Sequence, residues 1–271
     1  MVDKELVFLC LASGSSGNCF YLSDGETKIL IDVGLSQSQI KKALKERGLN
    51  FGGFKGILIT HDHADHIKGV GNLANDNAIP VYATEEVHKG MKKSYCMTRE
   101  INNHLIRRLE KGELMRLGEF EIHSFEVPHD GTDNVGYFIQ HNGVNFCIIT
   151  DIGHITQEVS DHISMANYLV LEANYDKSML DMGPYPAYLK ARIASPTGHL
   201  SNEDCGKALS EFATPRLKHV WLCHLSEENN HPELARKTVE TILRSVGIVP
   251  GKDFQLDVLR RKVPSSIYFL K

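Results

Sequence analysis

The sequence of 271 residues has no apolar run of membrane-spanning length, no CxxC pair, no internal repeat and no low-complexity tract. Without a long apolar run, no membrane span is expected. The first apolar run, Leu6 to Ala12, follows Met1-Val2-Asp3-Lys4-Glu5 with its two acids, and it is too short for a signal-peptide core. The six cysteines (Cys10, Cys19, Cys96, Cys147, Cys205, Cys223) are scattered, mostly within apolar strands, and read as buried free thiols of a cytoplasmic protein. Excess positive charge is also missing. Lys and Arg total 30 against 34 Asp and Glu, the net charge is −4 and the pI is near 6.4, so any contact with nucleic acid needs a local basic patch. With no linker or composition shift, the expectation is a single domain over 1–271, whose 42% hydrophobic content supports a sizeable core.

Against these absences stands one dense stretch, Thr60-His61-Asp62-His63-Ala64-Asp65-His66. Three imidazoles and two carboxylates lie directly after Gly56-Ile57-Leu58-Ile59-Thr60, which reads as a buried strand, and before Ile67 to Asn75, which reads as a helix. Neutral imidazoles and carboxylates suit zinc or a similar divalent ion. His61 and His63, at alternate positions, can point to one ion while Asp65 and His66 reach another.

Other polar residues end apolar strands in the same way. Lys28 to Val33 carries Asp32 and leads to Gly34 and a helix from Ser36 to Arg47. Asp32 is either a capping residue or an acceptor that orients a ligating histidine. Pro128-His129-Asp130-Gly131 follows the strand Phe120 to Val127, and Thr150-Asp151-Ile152-Gly153-His154 follows Val144 to Ile149. Tyr168 to Leu171 ends in Glu172, and Thr197-Gly198-His199-Leu200-Ser201 lies between helical segments expected at 185–195 and 201–212. Lys218 to His224 is a strand on which His219 and His224 face opposite sides. His224, at the strand end, is the candidate ligand, and His219 is expected to be exposed. The small-residue loop 12–18 either turns one strand into the next or forms an anion-binding nest, with Ser15, Ser16 and Asn18 as candidate substrate contacts. Lys89 to Lys111 is the most basic region, either a solvated helix face or a track for phosphates.

The series Asp32, His61-x-His63-x-Asp65-His66, His129, Asp151 and His224 resembles, in order, the five motifs of the metallo-β-lactamase superfamily. The resemblance implies an α/β four-layer αβ/βα sandwich with two divalent metal ions, zinc, manganese or iron, at one edge of the sheets. One ion would take His61, His63 and His129 and the other Asp65, His66 and His224, with Asp151 bridging and Asp32 in support. Drug-hydrolysing members typically carry Cys at the position of Asp151, and flavo-diiron members carry Glu at that of His63. Leu171-Glu172-Ala173-Asn174 and Gly198-His199-Leu200-Ser201 are similar to elements of tRNase Z, in which a histidine assisted by an acid protonates the leaving group. That similarity makes His199 the general acid and Glu172 its partner, with Asp65 in the catalytic set. No tRNA-gripping arm is recognisable, and no inserted β-CASP domain fits between Asp151 and His199.

The loop Gly14 to Cys19, with His199 to Asp204 and Cys223 to Asn230, closely resembles the YycJ/WalJ-type bacterial branch, associated with 5′-to-3′ exonuclease activity on double-stranded DNA. The resemblance implies metal-assisted phosphodiester hydrolysis. The alternatives are a hydrolase of a small ester, thioester or lactone, an RNA-processing nuclease, and a non-catalytic metal-stabilised binding module. His154, beside Asp151, either supports a ligand or is incidental.

Overall fold

The computed structural model describes residues 5–271, so of the two acids before the first apolar run Asp3 lies outside the described residues. In the first half the strands are β1 (Leu6–Ala12), β2 (Cys19–Ser23), β3 (Lys28–Ile31), β4 (Phe54–Leu58), β5 (Val81–Ala83) and β6 (Ile106–Arg108). The helices among them are α1 (Gln37–Lys45), α2 (Ala64–Ile67), α3 (Val70–Asn77) and α4 (Glu85–Lys93). The second half carries β7 (Leu114–Leu117), β8 (Phe120–Glu126), β9 (Val135–His141), β10 (Val144–Ile149), β11 (Tyr168–Glu172), β12 (His219–Cys223) and β13 (Gln255–Val258). Its helices are α5 (Gln157–Met165), α6 (Lys177–Met182), α7 (Ala187–Ile193), α8 (Asn202–Phe212) and α9 (Pro232–Ser245). A last strand, β14 (Tyr268–Leu270), returns to the first half.

These strands form two seven-stranded sheets, ordered β14-β1-β2-β3-β4-β5-β6 and β13-β12-β11-β10-β9-β8-β7. In each, antiparallel hairpins give way to parallel strands: β3 to β6 in one sheet and β10 to β13 in the other. Alternation along the strands explains the layers. Phe8, Phe20, Ile31 and Leu58 from one sheet meet Tyr137, Phe146, Val170 and Trp221 from the other in a core between the sheets. Phe8 lies 4.7 Å from Trp221 and 5.0 Å from Phe146, ring centre to ring centre. Residues of opposite parity, such as Leu30 and Ile57, face α1, α3 and α4, while Leu169 and Val220 face α5, α8 and α9. The order is helix, sheet, sheet, helix, the αβ/βα sandwich expected from the sequence.

Capping explains several helix starts. Ser36 and Gln39 form a reciprocal capping box at α1, and Thr84, Thr156, Asp176 and Ser201 each accept a backbone N–H at their helices. The single helix expected over 67–75 is instead split into α2 and α3. Gly69 sits at the break, where its N–H donates to Val33 O at 2.9 Å and an added Cβ would lie 2.0 Å from Leu35 O. Close backbone approach fixes both the break and the glycine.

His219 also differs from its expectation. It is half-buried, its ring stacked on Trp221 at 4.0 Å and its Nε2–H donating to Asp257 Oδ2 at 2.9 Å. The partner strand β13, which the sequence pattern did not reveal, brings Asp257 alongside. All six thiols are free, five of them buried. No helix among the described residues is long and apolar enough to cross a membrane.

The segment before β14 fastens the two halves together. Ser265 N–H donates to Cys10 O at 2.8 Å, Arg47 Nη2–H to Pro264 O at 2.6 Å and Arg261 Nη1–H to Ser226 O at 2.9 Å. β14 then pairs antiparallel with β1, Leu270 opposite Leu6.

Candidate metal centre

Parallel strands present their carboxyl ends on one edge of each sheet, and the polar residues follow there. Asp32 follows β3, the histidine cluster follows β4, and Asp151, Glu172 and His224 end or follow β10, β11 and β12, while His129 follows the antiparallel β8. Asp32 and His224 both adopt left-handed backbone, with φ of 56° and 51°. Non-glycine residues rarely hold this conformation, and it turns their side chains sharply off the strand direction.

The result is a convergent donor set. His61, His63 and His129 offer ring nitrogens within 4.8 Å of one another, as do the donor atoms of Asp65, His66 and His224, and those of His61, His66 and Asp151. Asp151 spans the two groups, with Oδ2 3.2 Å from His66 Nε2 and Oδ1 3.7 Å from His129 Nε2. The three sets contain every residue that the sequence proposed as a ligand.

Hydrogen bonds behind the donors fix their orientation. Asp32 Oδ2 accepts from His66 Nδ1–H at 2.7 Å and from the Thr60 hydroxyl at 2.8 Å, and that hydroxyl lies 3.0 Å from His61 Nδ1. His129 Nδ1–H donates to Gly198 O at 2.8 Å. Each bond occupies Nδ1 and leaves Nε2 to face the centre, the arrangement used to orient metal-bound histidines. Two deeply buried atoms, His61 Nε2 and Asp151 Oδ2, have no hydrogen-bond partner. Orphaned donors and acceptors at such depth are costly, so their place among converging nitrogens and carboxylates fits divalent metal ions.

The electrostatics divide the cluster. Burial, reinforced by neighbouring imidazoles, holds His61, His63 and His129 below the usual histidine range, which keeps their lone pairs available. Burial also disfavours charge on His66 and His224, but the surrounding carboxylates outweigh it. Asp32, Asp151 and Asp65 put His66 well above its ordinary value, and Asp151, Asp65 and Glu172 push His224 up to about 10. Asp65 and Asp151, despite burial, are held well below the usual carboxylate range by the imidazoles around them.

Glu172 sits under this cluster, fully buried. Its Oε2 accepts from Ile152 N–H at 2.9 Å and Leu200 N–H at 3.1 Å, and its Oε1 from His199 Nδ1–H at 2.8 Å and His224 Nδ1–H at 2.9 Å. Burial opposes the imidazolium of His199, yet the Glu172 charge and hydrogen bond raise its pKa. His199, Asp65, Asp151 and His224 line one wall of a cavity of about 490 Å³. A second cavity, about 480 Å³, lies between α1 and Arg261 to Pro264 and contains none of the clustered donors.

The small-residue loop divides its expected roles. Ser15 faces the cavity that holds His199, whereas Ser16 lines the second one. Asn18 departs from the expected substrate contact. It is fully buried, and its amide nitrogen lies 3.0 Å from Asp65 Oδ2 and 2.9 Å from His66 Nε2, so it contacts the donor atoms themselves and not the open cavity. His154 points away, Nδ1–H donating to Pro196 O at 2.8 Å, and lines a separate cavity.

The basic stretch is largely neutralised locally, by Lys89 with Glu86, Arg99 with Asp76, Arg108 with Glu85 and Lys111 with Asp133. Sequence reading missed Asp62, whose carboxylate binds Thr132 N–H and hydroxyl and ties the His129 loop to the cluster. It also missed Arg192, which grips Asp130 with two hydrogen bonds of 2.6 and 3.0 Å. The position of Asp62 inside the histidine motif was a usable signal, but nothing local marked Arg192.

A family model described as a beta-lactamase superfamily domain matches residues 27–224. The chain is 37% identical over 273 residues to exodeoxyribonuclease YycJ of Bacillus anthracis, covering 98% of this chain and 99% of that protein. It is likewise 37% identical over 256 residues to exodeoxyribonuclease WalJ of Streptococcus pneumoniae, covering 94% and 95%. Among solved structures, the metallo-beta-lactamase fold protein YhfI from Bacillus subtilis matches with a TM-score of 0.71 at 14% identity over 98% of this chain and 99% of that one. Human tRNase Z, short form, matches with a TM-score of 0.62 at 16% identity over 96% and 98%. These two likenesses attest the fold alone. The near-complete coverage and 37% identity go further, and the chain belongs to the metallo-β-lactamase superfamily, in the family of the YycJ and WalJ exodeoxyribonucleases.

Proposed function

We propose that this protein is a binuclear metal-dependent phosphodiester hydrolase, a 5′-to-3′ exonuclease acting on double-stranded DNA in the cytoplasm. The single observation that carries the reading beyond metal binding is the His199–Glu172 pair, 2.8 Å apart, whose histidine lies on the wall of the cavity that the donor cluster also lines. His61, His63 and His129 would hold one ion, and Asp65, His66 and His224 the other, with Asp151 shared. Nitrogen and carboxylate donors of this kind suit zinc or manganese. When bound, such ions supply Lewis acidity and neutralise phosphate charge.

The residues around them divide the remaining work. The Nδ1–H of His199 is committed to Glu172, so the proton for a departing alkoxide comes from Nε2, and the Glu172 charge, outweighing burial, favours the protonated ring. Glu172, fixed by two backbone N–H groups, holds the ring in that orientation and is itself shielded from solvent. Ser15 contributes a hydroxyl at the cavity wall for a phosphate oxygen. Free thiols throughout agree with a reducing compartment.

The test is time-resolved degradation of 5′-labelled and 3′-labelled duplex DNA by the metal-loaded protein, with D65A and H199A as controls. Immediate mononucleotide release from the 5′ label, lost in both variants, is the expected result. Absence of cleavage of duplex DNA, single-stranded DNA and RNA under both zinc and manganese, with hydrolysis of a thioester that H199A retains, would replace this reading by a small-ester hydrolase.

A further inference from the structure

Tyr95 lines the same cavity as Asp65, His199 and His224, yet its side chain is 93% exposed. No hydrogen bond, ring contact or ion pair holds it to the rest of the described chain. Single exposed aromatics are common on protein surfaces, so position and surroundings must carry the argument.

The loop that bears it is anchored. Ser94 N–H donates to Met91 O at 3.1 Å and Met97 N–H to Ser94 O at 3.2 Å, while Cys96 and Met97 pack against the core under α4. The backbone is tied on both sides, and the Tyr95 ring alone stands out over the cavity. Just before it, Lys92 and Lys93 end α4. They are exposed and, unlike most cations of this region, have no ion-pair partner among the described residues. Arg192 enters the same cavity from the second half of the chain, its Nε and Nη2 fixed by Asp130 and its Nη1 uncommitted.

A free aromatic face and an arginine with an uncommitted N–H in one hydrolytic cavity, with two unpaired lysines adjacent in sequence, form the combination that binds nucleic-acid strands, bases by stacking and phosphates by charge. We propose that Tyr95 is the stacking platform for the base of the terminal nucleotide, which leaves the duplex to enter the cavity, with Arg192 taking a phosphate oxygen. The inference rests on the nuclease reading and adds to it a binding residue and a conformation of the substrate: the end is unpaired before it is cut. A platform of this kind is tolerant of base identity, since every base has a π-face.

The experiment measures kcat and KM of the metal-loaded wild type, Y95A and Y95F on duplexes whose 5′-terminal nucleotide is either intact or abasic. Loss of one base–aromatic stack corresponds to about a 5- to 150-fold effect. On the intact duplex Y95A should therefore raise KM within that range and leave kcat near wild type, while Y95F, which retains the ring, should match wild type. On the abasic duplex wild type and Y95A should be indistinguishable, because the partner of the ring is gone. Wild-type KM in Y95A on the intact duplex, or a Y95A defect that persists undiminished on the abasic one, would overturn the platform and leave the nuclease reading standing. A wild type that cuts neither duplex would overturn both, and that result appears in the control before any variant is compared.

Discussion

Replacing Glu172 by glutamine preserves the shape of the side chain and removes its charge, and the four donors around it make the consequence calculable. Ile152 N–H and Leu200 N–H cannot become acceptors, so the amide oxygen of E172Q must stay with them. The amide NH2 then faces His199 Nδ1 and His224 Nδ1, which must give up their protons to accept. Both rings then lose the Nδ1 proton that Glu172 had stabilised and are neutral, with their one remaining proton on Nε2. For His224, whose Nε2 lies 3.3 Å from Asp65 Oδ2, the lone pair needed by a metal is lost. Loss of such an orienting partner typically lowers metal affinity about 10- to 100-fold. In the metal-free protein, two charge-assisted hydrogen bonds become neutral ones. At about 1 kcal/mol each, the cost is about 2 kcal/mol, or a melting temperature lower by about 3–4 °C for a chain of this size. Chelator-competition titration and thermal melting of chelator-treated protein measure the two effects separately. Unchanged metal affinity together with a melting temperature within about 1 °C of wild type would refute the tautomer argument.

A pH effect and a backbone effect follow from the same centre. His224, with a folded-state pKa of about 10 against about 6.5 unfolded, contributes stability that is complete below pH 6.5 and is lost as pH rises toward 10. His66 and His199 are raised and act in the same direction. His61, His63 and His129, held low, act oppositely near pH 6.5 and are spent above it, so metal-free protein should lose melting temperature between about pH 7 and 8, below the range in which unfolded cysteine thiols ionise. Metal-loaded protein should show a weaker slope, since metal displaces the protons of His66 and His224 and leaves that of His199; a flat or rising profile for the metal-free form would contradict the assignment. Gly34→Ala would place a Cβ 1.7 Å from Asp65 O and 2.6 Å from Asn18 N, where these two backbones share a 2.7 Å hydrogen bond. A loss of at least about 2 kcal/mol in denaturant unfolding is expected, because only backbone movement relieves the clash; near-neutral stability would show that the loop is more compliant than its contacts imply.

The centre was legible because its residues are local punctuation: each polar group interrupts an apolar strand, and a strand end at a sheet edge is where a ligand can be reached. The resemblance then ordered those interruptions, and the structure gathers Asp32, His61, His63, Asp65, His66, His129, Asp151 and His224 together. What stayed hidden was set by distant partners. β13 and β14 are four and three residues long and exist through pairing with β12 and β1, the latter more than 250 positions away. His219 read as exposed because its partner Asp257 lies on one of those strands. Asn18 read as a substrate contact because small polar loops commonly bind anions, while the approach of Asp65 and His66 that buries it cannot be seen from residues 12–18 alone. The break at Gly69 likewise depends on the backbone of Val33 and Leu35.

The return of β14 to β1 has a consequence for biosynthesis. The side chains of the centre lie between residues 32 and 224, but the sheet that carries its first half acquires its edge strand only from residues 268–270. Until those residues leave the ribosome, the outer side of β1 presents unpaired backbone, and Cys10, Arg47 and Ser226 lack the partners that residues 261–265 supply. An open strand edge on a nascent chain is a template for wrong pairing. Pairing of β14 with β1 is therefore a late closing stitch, and a chain lacking residues 268–270 should yield aggregates in place of a slightly shortened enzyme.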